Sequence, residues 1–273
     1  MLLLPGTFAY SFTAPWSTPY DTESQTAPCD GSITEHYEDP YTNNGTYQSF
    51  ADAYSHFSII CGANDASVTT NEQLHGGYYT TDPYGCLQNK CVYDFSYSFT
   101  VTANLYWECN PDVGYASPHA QVQLFFAMWD NSNDTNVIGN TYYSPSALNL
   151  QMPSGSCSGL NGESNSVNVC AQTFIQGDDI TLPPDTTYQP RVGVLSSADT
   201  GDGGAGAFTS EARVDLWSSS NSNCNNDPPN EAVLNYMNFD CVLNCSYLLG
   251  SQPAGALVPA YVNSSAQGVA GAQ

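Results

Sequence analysis

The stretch Val92–Cys109, VYDFSYSFTVTANLYWEC, most narrowly limits what this chain can fold into. From Tyr93 onward every odd position is apolar or aromatic: Tyr93, Phe95, Tyr97, Phe99, Val101, Ala103, Leu105, Trp107 and Cys109. The even positions Asp94, Ser96, Ser98, Thr100, Thr102 and Asn104 are all polar. A helix would spread both sets around its axis, whereas a strand sends alternate side chains to opposite faces. The stretch is therefore predicted to be one strand with a core face and a wet face. At about 3.3 Å per residue it would run to about 55 Å, well beyond the usual strand. It must bend across two sheets or cross the whole width of a large sandwich.

The remaining chain keeps a strand-and-turn rhythm. Strands are predicted over Thr46–Cys61, Ala120–Trp129, Val137–Ile138, Leu148–Met152, Val167–Ile175, Thr187–Ser196 and Phe208–Trp217. Val167, Val169, Ala171 and Ile175 are expected on one face, as are Tyr188, Val192 and Val194, and Phe208, Ala212, Val214 and Leu216. Pro190 predicts an edge position or a bulge in its strand. The one helix expected is Asn230–Phe239, following Asp227-Pro-Pro. This pattern predicts an all-β chain: an antiparallel sandwich, jelly-roll-like, stapled by disulfides, with an extended N-terminal arm. Its expected divisions are an arm over 1–28, the sandwich over 29–220, and a Cys-rich segment with a C-terminal tail, 221–273, packed on it.

The charge is lopsided. Lys90, Arg191 and Arg213 are the only lysine and arginine residues, against 26 acidic residues, for a net charge of −23 at pH 7. Such a surface repels nucleic acid and anionic lipid, and neither is expected as a partner. Two readings fit: an acidic secreted protein whose carboxylates bind cations or confer solubility, or one that works in acid. Near about pH 3 most carboxyls would be protonated and the self-repulsion removed.

Ten cysteines point to an oxidising, extracellular setting. They are Cys29, Cys61, Cys86, Cys91, Cys109, Cys157, Cys170, Cys224, Cys241 and Cys245, and all are expected in disulfides. Spacing suggests Cys86–Cys91 and Cys157–Cys170 as loop closures and ties Cys224 to Cys241 or Cys245. No C-x-x-C occurs, so zinc is not expected. Sequons at Asn44, Asn133, Asn244 and Asn263 predict covalent glycans. The N-terminus lacks a positive n-region, and Pro5 cuts its apolar run, so the sequence reads as a mature chain. No run approaches the ~20 apolar residues of a membrane helix.

Catalytic signatures are sparse. Asp199-Thr-Gly-Asp-Gly-Gly has the oxygen ligands of a calcium loop but lacks the full EF-hand pattern and its closing Glu. Asp178-Asp179 is a weaker candidate, and Ca²⁺ is the one cofactor the composition admits. Asp199-Thr200-Gly201 also matches the D-T-G of aspartic proteases, but as a single copy without the second carboxylate that mechanism needs. His36, His56 and His75 show no metal-ligand spacing. Tyr106-Trp-Glu-Cys-Asn-Pro-Asp112 resembles a strand end of glutamic-type acid proteases, which implies that Glu108 would work with a glutamine to polarise water. No matching glutamine strand is found. The tyrosines Tyr78, Tyr79, Tyr84, Tyr142 and Tyr143 are placed at loop ends, where they could stack on sugars. An enzyme is not expected.

The arm carries Leu2, Leu3, Leu4, Phe8, Tyr10, Phe12 and Trp16, a liability if left in water. It is either the first strand of its own sandwich or a donor strand for a neighbouring copy. The long Ser/Thr-alternating strands between Val92 and Trp217, with few lysines and many sequons, resemble archaeal secreted β-sandwich subunits of extracellular threads and filaments. That resemblance implies donor-strand exchange and glycosylation. The expected function is thus a structural subunit of an extracellular or cell-surface assembly, its partners copies of itself. The alternatives are a carbohydrate-binding or adhesin module and an acid-active hydrolase.

Overall fold

The computed structural model describes residues 9–11, 19–26, 31–38, 45–56, 65–75, 79–80, 91–110, 116–130, 135–136, 141–152, 162–183, 186–201, 209–243 and 261–262. The chain is an all-β, antiparallel sandwich of two sheets. Sheet A contains β1 (Ala9–Ser11), β3 (Gly31–Glu38), β4 (Thr46–His56), β7 (Cys91–Asn110), β12 (Glu163–Leu182), β14 (Thr209–Asp215), β15 (Glu231–Leu243) and β16 (Tyr261–Val262). Sheet B contains β2 (Pro19–Thr26), β5 (Ser67–His75), β6 (Tyr79–Thr80), β8 (His119–Asp130), β9 (Thr135–Asn136), β10 (Thr141–Tyr143), β11 (Asn149–Gln151) and β13 (Thr187–Asp199).

The long alternating stretch is β7, and its odd residues from Tyr93 to Cys109 are all at most 2% exposed. One edge of β7 pairs with β12 along almost its whole length. Its other edge is shared by two strands in line: β14 from Asn104 to Asn110 and β15 from Val92 to Thr102. β4 then flanks β14, touching β15 only at Ala232 and Val233, and β3 pairs outside β4. β1 meets β15 at Asn238–Asp240, with β16 beyond it.

The inner faces interlock through large side chains. Phe95 stacks on Phe126 with centroids 4.4 Å apart. The Tyr47 hydroxyl donates to the Val192 carbonyl at 3.0 Å, and that of Tyr97 to the Leu124 carbonyl at 3.1 Å. These bonds satisfy polar tips that would otherwise be buried unpaired. Ser49 and Ser196 share a cross-sheet hydroxyl bond of 2.9 Å. Thr200 ties the end of β13 down: its amide donates to the Ala66 carbonyl, and its hydroxyl accepts from the Ala66 amide.

Three sequence expectations require correction. Residues 231–243 form β15 inside sheet A, not a helix and not a segment packed outside. A register shift between Leu234 and Tyr236 breaks the alternation there, and the broken phase imitates a helical period. In β12, two residues, Cys170 and Ala171, face one on β7 between the Val169 and Gln172 pairings. Ala171 has φ +48°, and its amide is met by the Thr102 hydroxyl at 3.0 Å. Beyond this bulge the faces exchange, so Phe174, Ile180 and Leu182 are buried and Ile175 is 62% exposed. Ala171 and Ile175 thus do not share the face of Val167 and Val169. Pro190 lies in a central strand, between the stretch of β13 paired with β6 and that paired with β5. Its missing N–H is tolerated at this break between partners.

Candidate functional site

The outward face of sheet A is divided by a strap. β14 and β15 abut end to end on β7, and the 216–230 excursion leaves at their junction. It closes on itself: the Asn230 amide donates to the Ser218 carbonyl at 2.8 Å, and Asn221 Nδ2 donates to Asn230 Oδ1 at 2.9 Å. It reaches across β7 to the β12 bulge, where Cys224 bonds Cys170 with Cα atoms 5.5 Å apart. Asn223 Nδ2 donates to Asn168 Oδ1 at 3.1 Å, and Asn104 Nδ2 donates to the same oxygen at 2.9 Å. This pairing replaces the expected Cys157–Cys170 closure and the link from Cys224 to Cys241 or Cys245. Cys170 sits mid-strand, and only sheet pairing brings it beside a residue 54 positions away. Cys109 is also disulfide-bonded, and no described cysteine is free.

On one side of the strap the register builds a grid across four strands. Asn104, Tyr106 and Glu108 of β7 stand opposite Asp215, Arg213 and Glu211 of β14. These in turn oppose Phe50, Asp52 and Tyr54 of β4, and then His36, Thr34 and Ser32 of β3. Arg213 is central. It donates to Asp52 at 3.2 Å and to Glu211 at 2.5 Å, and lies 5.9 Å from the ring centroids of both Phe50 and Tyr106. The Tyr106 hydroxyl donates to Glu108. The His36 ring lies between Phe50 (6.1 Å) and Trp217 (5.7 Å), and Asp215 accepts from the amides of Trp217 and Ser218, fixing where the strap starts.

Burial sets the electrostatics of this grid. It raises the Asp52 carboxyl against the lowering effect of Arg213. Glu211 is also raised, by burial first and then by Asp52 and Glu108, with Arg213 opposing. Tyr106 is pushed up to about 12 by burial and by its bond to Glu108. Glu108 is thus on the outward face, as alternation predicts, but its cross-strand partners are Ser164 and Glu211 and no glutamine stands opposite it.

On the other side of the strap the face is a hydroxyl and amide ladder, with Asn235 bonded to Ser98 and Thr100. It ends at Asp94, raised by burial and then by Asp179 and Asp178. In the Asp199-Thr-Gly turn, Asp199 Oδ1 accepts from the Gly201 amide at 2.7 Å, while Thr200 is buried in its clamp on Ala66. No group of three metal-ligating side chains occurs among the described residues. Tyr143 is half-buried against the core; Tyr79 and Tyr142 lie in β6 and β10, and Tyr78 and Tyr84 fall outside the described residues. Asn44, Asn133, Asn244, Asn263, Cys29, Cys61, Cys86, Cys157 and Cys245 also fall outside them, as do Leu2, Leu3, Leu4, Phe8, Phe12 and Trp16. Tyr10 is in β1, opposite Phe239.

His75 belongs to a different environment. It is 5% exposed at the end of β5, bonded to Gln73 Oε1 at 3.2 Å and opposite Arg191. Burial first and the Arg191 charge second lower its pKa to about 4. The folded protein therefore holds it neutral, while the unfolded chain protonates it below about 6.5. Its contribution to stability is full above about pH 6.5 and is lost as pH falls through about 4. His75→Gln is expected to gain melting temperature relative to the parent over that window. Parallel melting curves from pH 7 to 4 would show that His75 does not titrate this way.

No family model and no curated protein matches the chain. Among solved structures, it is similar to the enzymatically active domain of bacteriophage CBA120 tailspike protein 4, at 9% identity over 69% of this chain and 19% of that one, with TM-score 0.19. It is also similar to Arthrobacter globiformis T6 isomalto-dextranase complexed with panose, at 8% identity over 76% of this chain and 34% of the other, with TM-score 0.19. A third is the structure of infectious bursal disease virus Gx strain, at 11% identity over 92% and 47%, with TM-score 0.15. The chain spans less than half the length of each, and likeness at this level carries no argument about function.

Proposed function

We propose that the protein is a structural subunit of an extracellular filament or surface layer, joined to its neighbours by exchange of the β1 segment. The observation that carries this reading is the thin closure of β15. Beyond the β4 contact, its edge is met by a three-residue strand, β1, in a sheet whose β7 and β12 are each 20 residues long. A short strand held by few hydrogen bonds is readily replaced by the same segment of another copy, which fills an identical slot in an identical register. Such a head-to-tail contact propagates without closing. The oxidised cysteines support an extracellular setting, and the four sequons are its proposed glycan sites.

The register supplies the test, since Ser11 stands opposite Asn238. In the Ser11→Cys/Asn238→Cys variant, oxidation of assembled material should give a ladder of covalent multimers on non-reducing gels. Deleting residues 1–16 should leave a folded chain that no longer assembles. A cross-link confined to single chains in assembled material, or normal assembly of the truncated chain, would rule out exchange.

A further inference from the structure

We infer that the grid centred on Arg213, bounded by the strap, is a binding face for an uncharged saccharide chain. This goes beyond the structural role proposed above and does not depend on it. Three observations point the same way. First, Phe50, Tyr106 and Trp217 are each only half-buried, and the ring surface they keep beside Arg213 and His36 suits the C–H face of a pyranose. Second, the acceptors beside them are pinned. Arg213 bonds both Asp52 and Glu211, and Tyr106 holds Glu108, so their oxygens are oriented for hydroxyl donors before a ligand arrives. Third, the strap starts at Trp217, whose ring is joined to that of Phe50 through His36, and so bounds the grid on one side.

An ion-pair network serving stability alone is a poorer account of the same residues. Partly exposed pairs of this kind contribute little to stability, and burial here raises the pKa of both carboxyls despite Arg213. Asp52 Oδ1 and Arg213 Nε are shielded from solvent and have no hydrogen-bond partner, so the cluster is not arranged to satisfy itself. The sign of the charge excludes one class of saccharide. Asp52, Glu108, Glu211 and Asp215 outnumber the single guanidinium, and the whole chain carries −23 at pH 7, so uronate or sulfated chains are repelled.

The test is calorimetric titration of the full chain with neutral cello-, malto-, isomalto-, laminari-, manno- and xylohexaose, with hexagalacturonate as the anionic comparator. At least one neutral hexasaccharide should bind, and Trp217→Ala and Tyr106→Ala should each weaken it by roughly tenfold. Thr34→Arg provides an independent block, because Thr34 is exposed beside Asp52 and its replacement crowds the face without entering the core. That variant should lose binding while keeping the parent's melting temperature. Absence of binding by every neutral chain, binding unaltered in Thr34→Arg, or tighter binding of hexagalacturonate would each overturn the inference.

Discussion

Replacing Cys170 and Cys224 together by serine is expected to cost about 4 kcal/mol, the chain-entropy value for a closed loop of this size. The bond joins residues 54 apart in sequence. In a protein of this length that loss corresponds to a fall in melting temperature on the order of 10 °C. The damage should be local in the native state. The strap keeps its own Ser218–Asn230 and Asn221–Asn230 bonds, whereas β12 loses its one covalent anchor and remains an edge strand paired only to β7 among the described residues. Hydrogen exchange of the β12 amides should therefore accelerate well before that of β4 or β13. An unchanged melting temperature in the double variant would mean that the strap is held by its asparagines alone.

Gly193→Ala is expected to cost about 3 kcal/mol or more, at the upper end of overpacking effects. Gly193 lies in β13 between β5 and β8, opposite Gln73 and Phe125. A Cβ there would stand 2.2 Å from the Glu72 carbonyl oxygen and 2.5 Å from the Phe125 ring. A ring in an open site would move by a rotamer change, but Phe125 is 1% exposed and the carbonyl belongs to the neighbouring ladder. Relief requires the β5–β13 pairing itself to spread. Chemical denaturation of Gly193→Ala beside the parent measures the cost, and a difference below about 1 kcal/mol would show that the sheet yields without resistance.

The two sheets and the strand at the centre of sheet A were legible because β7 runs twenty residues without a bulge, so its period of two is unbroken. β12 and β15 were misread for the opposite reason. β12 carries one irregularity against β7 and β15 two, and a single inserted residue exchanges the faces of what lies beyond it. The Arg213 grid could not be found in the sequence. Its members come from β3, β4, β7, β14 and the strap, and which side chains meet depends on register, which is a property of the assembled sheet. Glu108 could be placed on the wet face from alternation alone, but nothing local to it names Glu211 or Asp52 as neighbours. The cysteine pairing failed similarly, since proximity along the chain is a poor guide where strands return from far away.

The arrangement of sheet A also dictates an order of events at the ribosome. β7 binds β12, β14 and β15, and all three are encoded after it, the first of them more than fifty residues downstream. This long strand, the richest in aromatic residues, therefore emerges with both its edges vacant and no cognate partner yet made. Non-local pairing of this kind is slow and exposes the nascent chain to wrong associations. Synthesis of the last third of the protein is what releases it, and a chaperone or a pause that shields residues 91–110 until then would raise the yield of native protein.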